Sequence, residues 1–102
     1  MSDILDTIGN TPIVKLKNIV PIGCGDIYVK LEAFNPTGSK KDRMALSMIL
    51  GAEKRGVLKK GMTVVEYSGG STGAGLAFVC SLKGYNFRLV TADVFGLSLI
   101  HI

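Results

Sequence analysis

Asn35-Pro36-Thr37-Gly38-Ser39-Lys40-Lys41-Asp42-Arg43 decides how the rest of the chain is read, because it carries amines to the start of a helix directly after a strand. Pro36 and Gly38 mark a turn, Ser39 is a good N-cap, and Asp42 completes an S-x-x-D capping box, which predicts a helix beginning at Ser39. The charges there run against stability. Lys40, Lys41 and Arg43 fall in a first turn where the helix dipole is already positive, and each cation is disfavoured by about 0.3–1 kcal/mol. The same field, with desolvation, disfavours a protonated amine, so a lysine in this seat is suited to act as nucleophile or base.

Upstream, Ile27, Val29 and Leu31 alternate with polar neighbours and predict a strand over 26–32 with one buried face. Residues 1–10 predict a short amphipathic helix or helical turn closing at Gly9-Asn10. Thr11-Pro12 then opens a strand over 13–16, and 18–25 is a connecting loop with Pro21 and two glycines. Downstream, the helix from Ser39 runs to about Arg55, with Ala45, Met48, Ile49 and Ala52 on one stripe, broadened by Met44, Leu46 and Leu50, and Gly56 as its stop. A strand over 62–67 follows, then an apolar helix over 72–83 stopped at Gly84, then a strand over 86–93. This alternation predicts an α/β fold, an incomplete parallel sheet with flanking helices.

Ser68-Gly69-Gly70-Ser71-Thr72-Gly73 sits between a strand end and a helix start, where unpaired N–H groups make an anion site and the hydroxyls add donors. Packing alone also explains many glycine-rich turns. The nucleotide-binding patterns do not fit: no G-K-[ST] follows, and Gly70, Gly73 and Gly75 give G-x-x-G-x-G, the reverse of the dinucleotide order.

A chain of 102 residues holds one small domain. Its net charge of +4 is scattered apart from the Lys40-Lys41-Arg43 turn and the Lys59-Lys60 pair, which argues against nucleic acid as a partner. Cys24 and Cys80 lack a C-x-x-C spacing and His101 is the one histidine, so no zinc site is expected; Cys80 reads as a small buried hydrophobe. An acidic start and the lack of a long apolar run predict no signal peptide, no membrane segment and a cytoplasmic location.

The pattern N-P-T-G-S-x-K-D-R resembles the cofactor-lysine motif of the fold type II pyridoxal-phosphate enzymes, the group containing cysteine synthase, cystathionine beta-synthase and threonine synthase. The resemblance implies that Lys41, directly before Asp-Arg, carries pyridoxal 5'-phosphate covalently, and that Lys40, at the variable position, faces solvent or the rim. Ile8-Gly9-Asn10-Thr11-Pro12 is similar to the I-G-N-T-P signature of cysteine synthases, which frames the site and contributes to subunit contact. Glu66 to Gly73 resembles, without gaps, the substrate loop E-P-T-S-G-N-T-G. Ser68, Gly69, Ser71 and Thr72 thereby become candidates to hold the α-carboxylate of a small amino-acid substrate. Ser71 stands where the family has an asparagine bonded to the cofactor's ring oxygen, so it is also a cofactor-binding candidate, with a shorter reach. Gly69 replaces the usual serine and leaves only its backbone donor.

These matches run from about residue 4 to Phe95 and imply the N-terminal part of the tryptophan synthase beta-like fold. Residues 1–38 belong with a large domain and 39–95 with the start of the small one. Family members are much longer, and residues 96–102 match nothing in the family and read as a non-native tail. The implied activity is that of a cysteine synthase, replacing the acetate of O-acetylserine by sulfide, in a protein that is a homodimer at full length; this fragment alone is expected to be inactive. Within the family, a serine or threonine dehydratase or a cystathionine beta-synthase is the alternative. Outside it, a small anion-binding α/β module with a purely electrostatic Lys41 is another, and a non-functional fragment a third.

Overall fold

The computed structural model describes residues 3–94; the tail assigned to 96–102 lies outside them. After a single 3-10 turn at Ile4–Thr7 come strands β1 (Ile13–Lys15) and β2 (Tyr28–Lys30), a second 3-10 turn at Glu32–Phe34, and helix α1 (Lys41–Lys54). The order then runs β3 (Thr63–Tyr67), α2 (Ser71–Lys83) and β4 (Asn86–Val90).

The parallel sheet is the pair β3–β4, in register from Thr63 opposite Asn86 to Tyr67 opposite Val90. The strand before the lysine motif does not join it. β2 pairs antiparallel with β1, Val14 opposite Val29, in a separate two-stranded sheet. Periodicity identifies a strand but not its partner, and the loop between 16 and 27 turns the chain back on itself before α1 begins.

Along β3 and β4 exposure alternates, with Val64, Glu66, Phe87 and Leu89 half-buried while Val65, Tyr67, Arg88 and Val90 are exposed. The core lies where α1 meets α2: Ala45 and Ile49 from one, Leu76, Val79 and Cys80 from the other, flanked by Leu5, Ile8, Val64 and Phe87. Each large apolar side chain fully buried here contributes roughly 1.5–3 kcal/mol. The stripe expected on α1 is narrower than its sequence suggests, since Met48 and Leu50 are 45% and 44% exposed. Helix α1 packs chiefly on α2, so only the Ala45–Ile49 edge is covered.

Both helices end on left-handed glycines. Gly56 (φ +73°) closes α1 as the Val57 N–H reaches the Ala52 carbonyl at 3.1 Å, and Gly84 (φ +82°) closes α2 as the Tyr85 N–H reaches Cys80 at 2.9 Å. Tyr85 also donates its hydroxyl to Glu53, which is paired with Lys83 at 3.1 Å, so the far ends of the two helices are tied together. Burial pushes the Cys80 thiol up from its ordinary pKa.

Candidate functional site

The lysine motif folds differently from the capping box its sequence spells. Helix α1 starts at Lys41 with Lys40 as its N-cap, two residues later than expected, and the Ser39 hydroxyl accepts from the Lys41 N–H at 3.1 Å. Asp42 does not reach back to Ser39. Its fully buried carboxylate accepts the Thr37 N–H at 2.7 Å and the Thr37 hydroxyl, bracing the 36–39 turn from inside. A buried carboxylate must be hydrogen-bonded, and two donors from one residue of the turn outcompete a capping contact.

Lys41 is half-buried and Lys40 exposed, as the motif implies. Lys41 lines an open depression of about 430 Å³ together with Lys30, Glu32, Lys40, Arg43 and Met44. Its backbone lies against α2, where a Cβ placed on Gly75 would come 3.0 Å from the Lys41 carbonyl oxygen and 3.3 Å from Asp42 Oδ1. The two helix starts are therefore in contact. No residue of the 68–73 loop is among those lining the Lys41 depression; the nearer link between the motif and α2 is a second hollow bordered by Thr37, Ala74, Ala77, Phe78 and Ser81.

In the glycine loop, Ser68 is buried and its groups are used within the fold. Its hydroxyl oxygen accepts the Gly70 and Gly73 N–H groups at 3.1 and 3.0 Å, its hydroxyl donates to the Gly70 carbonyl at 3.3 Å, and its own N–H donates to the Val90 carbonyl at 3.0 Å. Ser68 thus shapes the loop. Among the described residues the N–H groups of Gly69, Ser71 and Thr72 keep no acceptor, and Ser71 is exposed at the first position of α2 with Gly70 as a capless N-cap. This is the donor set of an anion site. Gly73 is required by packing, because a Cβ there would meet Leu89 Cδ1 at 2.8 Å.

Residues that sequence reasoning left out of the site knit the I-G-N-T-P turn to the lysine motif. The Gly9 N–H donates to Asn35 Oδ1 at 3.0 Å, with Gly9 and Asn10 both at positive φ (+89° and +46°). Asn35, 5% exposed, donates to the Glu32 carbonyl at 2.9 Å and to Glu32 Oε1 at 3.0 Å. Arg43 Nε donates to the same Oε1 at 3.0 Å, and its Nη2 donates to the Thr11 hydroxyl at 2.6 Å. The other Glu32 oxygen has no hydrogen-bond donor but faces Lys30 Nζ at 3.5 Å. Burial pushes the Glu32 carboxyl up, but hydrogen bonds from Arg43 and Asn35 and the charges of Arg43 and Lys30 outweigh it and hold the group below the usual carboxylate range. No spacing rule pairs positions 26 and 32 residues apart, so only the co-occurrence of the two motifs pointed this way.

A site for pyridoxal phosphate needs an amine, a phosphate cup and donors for the substrate's carboxylate. The described residues fit two of these, with the half-buried Lys41 at the start of α1 and the unpaired N–H groups of the 68–73 loop, while Glu32 beside Lys41 is already neutralised by Arg43 and Lys30. Among the described residues there is no cluster of three or more His, Cys, Asp or Glu that could hold a metal, and no helix is long and apolar enough to cross a membrane.

Comparison with known proteins agrees with this geometry. Residues 4–95 match the family model described as pyridoxal-phosphate dependent enzyme. The chain is 55% identical over 85 residues to a cysteine synthase of Staphylococcus aureus, covering 83% of this chain and 27% of that protein. It is 49% identical over 96 residues to the O-ureido-L-serine synthase of Streptomyces lavendulae, covering 94% of this chain and 29% of the relative. The crystal structure of a hydrogen sulfide-producing enzyme from Fusobacterium nucleatum superimposes with a TM-score of 0.91 at 44% identity, over 99% of this chain and 33% of that one. The chain thus spans between about a quarter and a third of the length of these relatives. With a lysine at the start of α1, a donor-lined loop at the start of α2 and a family match over nearly its whole length, the chain belongs to the pyridoxal-phosphate dependent enzyme family.

Proposed function

We propose that this chain supplies the lysine and the carboxylate grip of a cysteine synthase, which replaces the acetate of O-acetylserine by sulfide to give L-cysteine. The observation that carries the reading is the contact between the two helix starts, where the Lys41 peptide abuts α2 at Gly75 four residues beyond Ser71. One chain segment thereby presents an amine and a row of free N–H groups on adjoining elements.

In this reading Lys41 anchors pyridoxal phosphate, and Ser71 donates to it through a hydroxyl shorter than the family's asparagine. Once bound, the cofactor supplies an electron sink conjugated to the substrate's α-carbon. The N–H groups of Gly69, Ser71 and Thr72, with the Ser71 and Thr72 hydroxyls, hold the substrate's α-carboxylate, while Ser68 keeps the loop in shape. Lys41 Nζ takes the α-proton as acetate leaves the β-carbon and returns it after sulfide has taken acetate's place, a task suited to an amine at the positive end of a helix. The separation of β1–β2 from β3–β4 supports assigning 1–38 and 39–95 to different domains of a longer enzyme.

A second reading keeps the same first half and changes the incoming nucleophile. It is favoured by Gly69 and Ser71, both smaller than the family's serine and asparagine, which leave more room beside the loop. Two experiments test these readings. Borohydride reduction of the full-length gene product loaded with pyridoxal phosphate should leave the reduced adduct on Lys41 and none in Lys41→Ala; an adduct elsewhere, or none, defeats both readings. Supplying the same full-length protein with O-acetylserine and sulfide, or with homocysteine or hydroxyurea, then shows which nucleophile enters, and formation of pyruvate from L-serine, or of 2-oxobutanoate from L-threonine, indicates a dehydratase.

A further inference from the structure

We propose that Asn35 and Arg43 are positioning residues, a clamp that fixes where Lys41 presents its amine by tying the lysine segment at both sides to the Gly9-Asn10-Thr11 turn. The proposal rests on Lys41 being the reactive lysine. Asn35 precedes Lys41 by six residues and Arg43 follows it by two, and both reach the same distant turn: Asn35 through the Gly9 N–H at 3.0 Å, Arg43 through the Thr11 hydroxyl at 2.6 Å. Glu32 joins the two arms, since its Oε1 accepts from Asn35 at 3.0 Å and from Arg43 at 3.0 Å.

The clamp works against a second surface. At Gly75, α2 stands so near the Lys41 carbonyl that a Cβ would approach to 3.0 Å. The first turn of α1 is thus held between α2 and the N-terminal turn, and neither rotation about its axis nor sliding along α2 is free. Burial and charge point the same way. Asn35 is 5% exposed with both ends of its amide engaged, and the guanidinium spends two of its donors on fixed acceptors. A surface arginine held only for solubility would not be oriented by two partners 11 and 32 residues away in sequence.

The test separates positioning from plain stability. In the full chain, Thr11→Val removes the Arg43 acceptor at equal volume, and Arg43→Lys keeps the charge but loses the fork. Glu53→Gln is the control, because Glu53 ties the opposite end of α1 to Tyr85 and Lys83. The readout is competitive trace acetylation, scored as labelling of Lys41 relative to its neighbour Lys40 across pH, beside thermal unfolding of each variant. We expect Thr11→Val and Arg43→Lys to change the Lys41-to-Lys40 ratio about fivefold, the effect of one net hydrogen bond. Glu53→Gln should lower the melting temperature and leave the ratio unchanged. An unchanged ratio in the two clamp variants, or an equal change in Glu53→Gln, overturns the proposal. The ratio needs no cofactor, so failure of the lysine reading shows separately, as a missing borohydride-fixed adduct in the unsubstituted protein.

Discussion

The Lys41 carbonyl oxygen lies 3.0 Å from the point where Gly75 would carry a Cβ, so the backbone of the lysine motif rests directly on the second helix. The obstacle is backbone, which cannot swing aside as a side chain would. Gly75→Val is expected to destabilise by about 1–3 kcal/mol through overpacking, even though it removes a helix glycine. Urea midpoints at constant m-value check this, and a variant as stable as the parent would show that α1 yields.

Asp42 is the brace of the turn before Lys41. Asp42→Asn replaces one acceptor with a donor that faces the Thr37 N–H or hydroxyl, at an expected cost of about 1–3 kcal/mol for a buried polar group left mispaired. Thermal unfolding of Asp42→Asn and Thr37→Val, alone and combined, should show strong non-additivity, because both remove the same contact.

Acid should weaken the fold through two carboxylates. Glu53 is held low first by the Tyr85 hydroxyl, against burial, with help from Lys83; Glu32 is held low despite burial by Arg43, Asn35 and Lys30. A depressed carboxyl stabilises fully above its unfolded value near 4.5, and that stability is lost as pH falls through the lower folded value. Tyr85, raised by its bond to Glu53, acts in the opposite sense, with stability present below 10.0 and lost as pH rises through its folded value. Melting temperatures from pH 2 to 7 should flatten in the double variant Glu32→Gln, Glu53→Gln, and Tyr85→Phe should flatten the alkaline limb.

The two thiols should differ sharply. Cys24 is exposed and Cys80 buried with its thiol pushed up, so iodoacetamide should modify Cys24 in the folded protein and reach Cys80 only at the rate of global opening. Mass spectrometry of timed samples resolves the two sites.

Local signals on α1, β3, α2 and β4 were legible in the sequence, because glycine stops and apolar periods are properties of short windows. Both helix-ending glycines sit where expected, at Gly56 and Gly84. What failed were choices between partners. Asp42 had two suitors, the Ser39 cap and Thr37, and burial decided for the one that satisfies both oxygens. Ser68 could face a ligand or its own loop, and three of its hydrogen bonds go to the loop. Likewise β2 could extend the parallel sheet or fold back on β1, and no alternation of side chains distinguishes these. The lysine motif was readable as a short pattern; the Asn35–Glu32–Arg43 scaffold around it was not, because its parts are scattered over the first 43 residues.

The β3–β4 pair has one further consequence. Among the described residues each strand is hydrogen-bonded on a single side, so the ribbon has two open margins and a bare face bearing Val65 and Val90. Such margins recruit further strands, from this chain's copies as readily as from anywhere else. Arg88 on that face and Lys59-Lys60 just ahead of β3 are the charges that oppose stacking. Their repulsion weakens as added salt shortens the Debye length, so ionic strength sets how long the isolated chain stays dispersed.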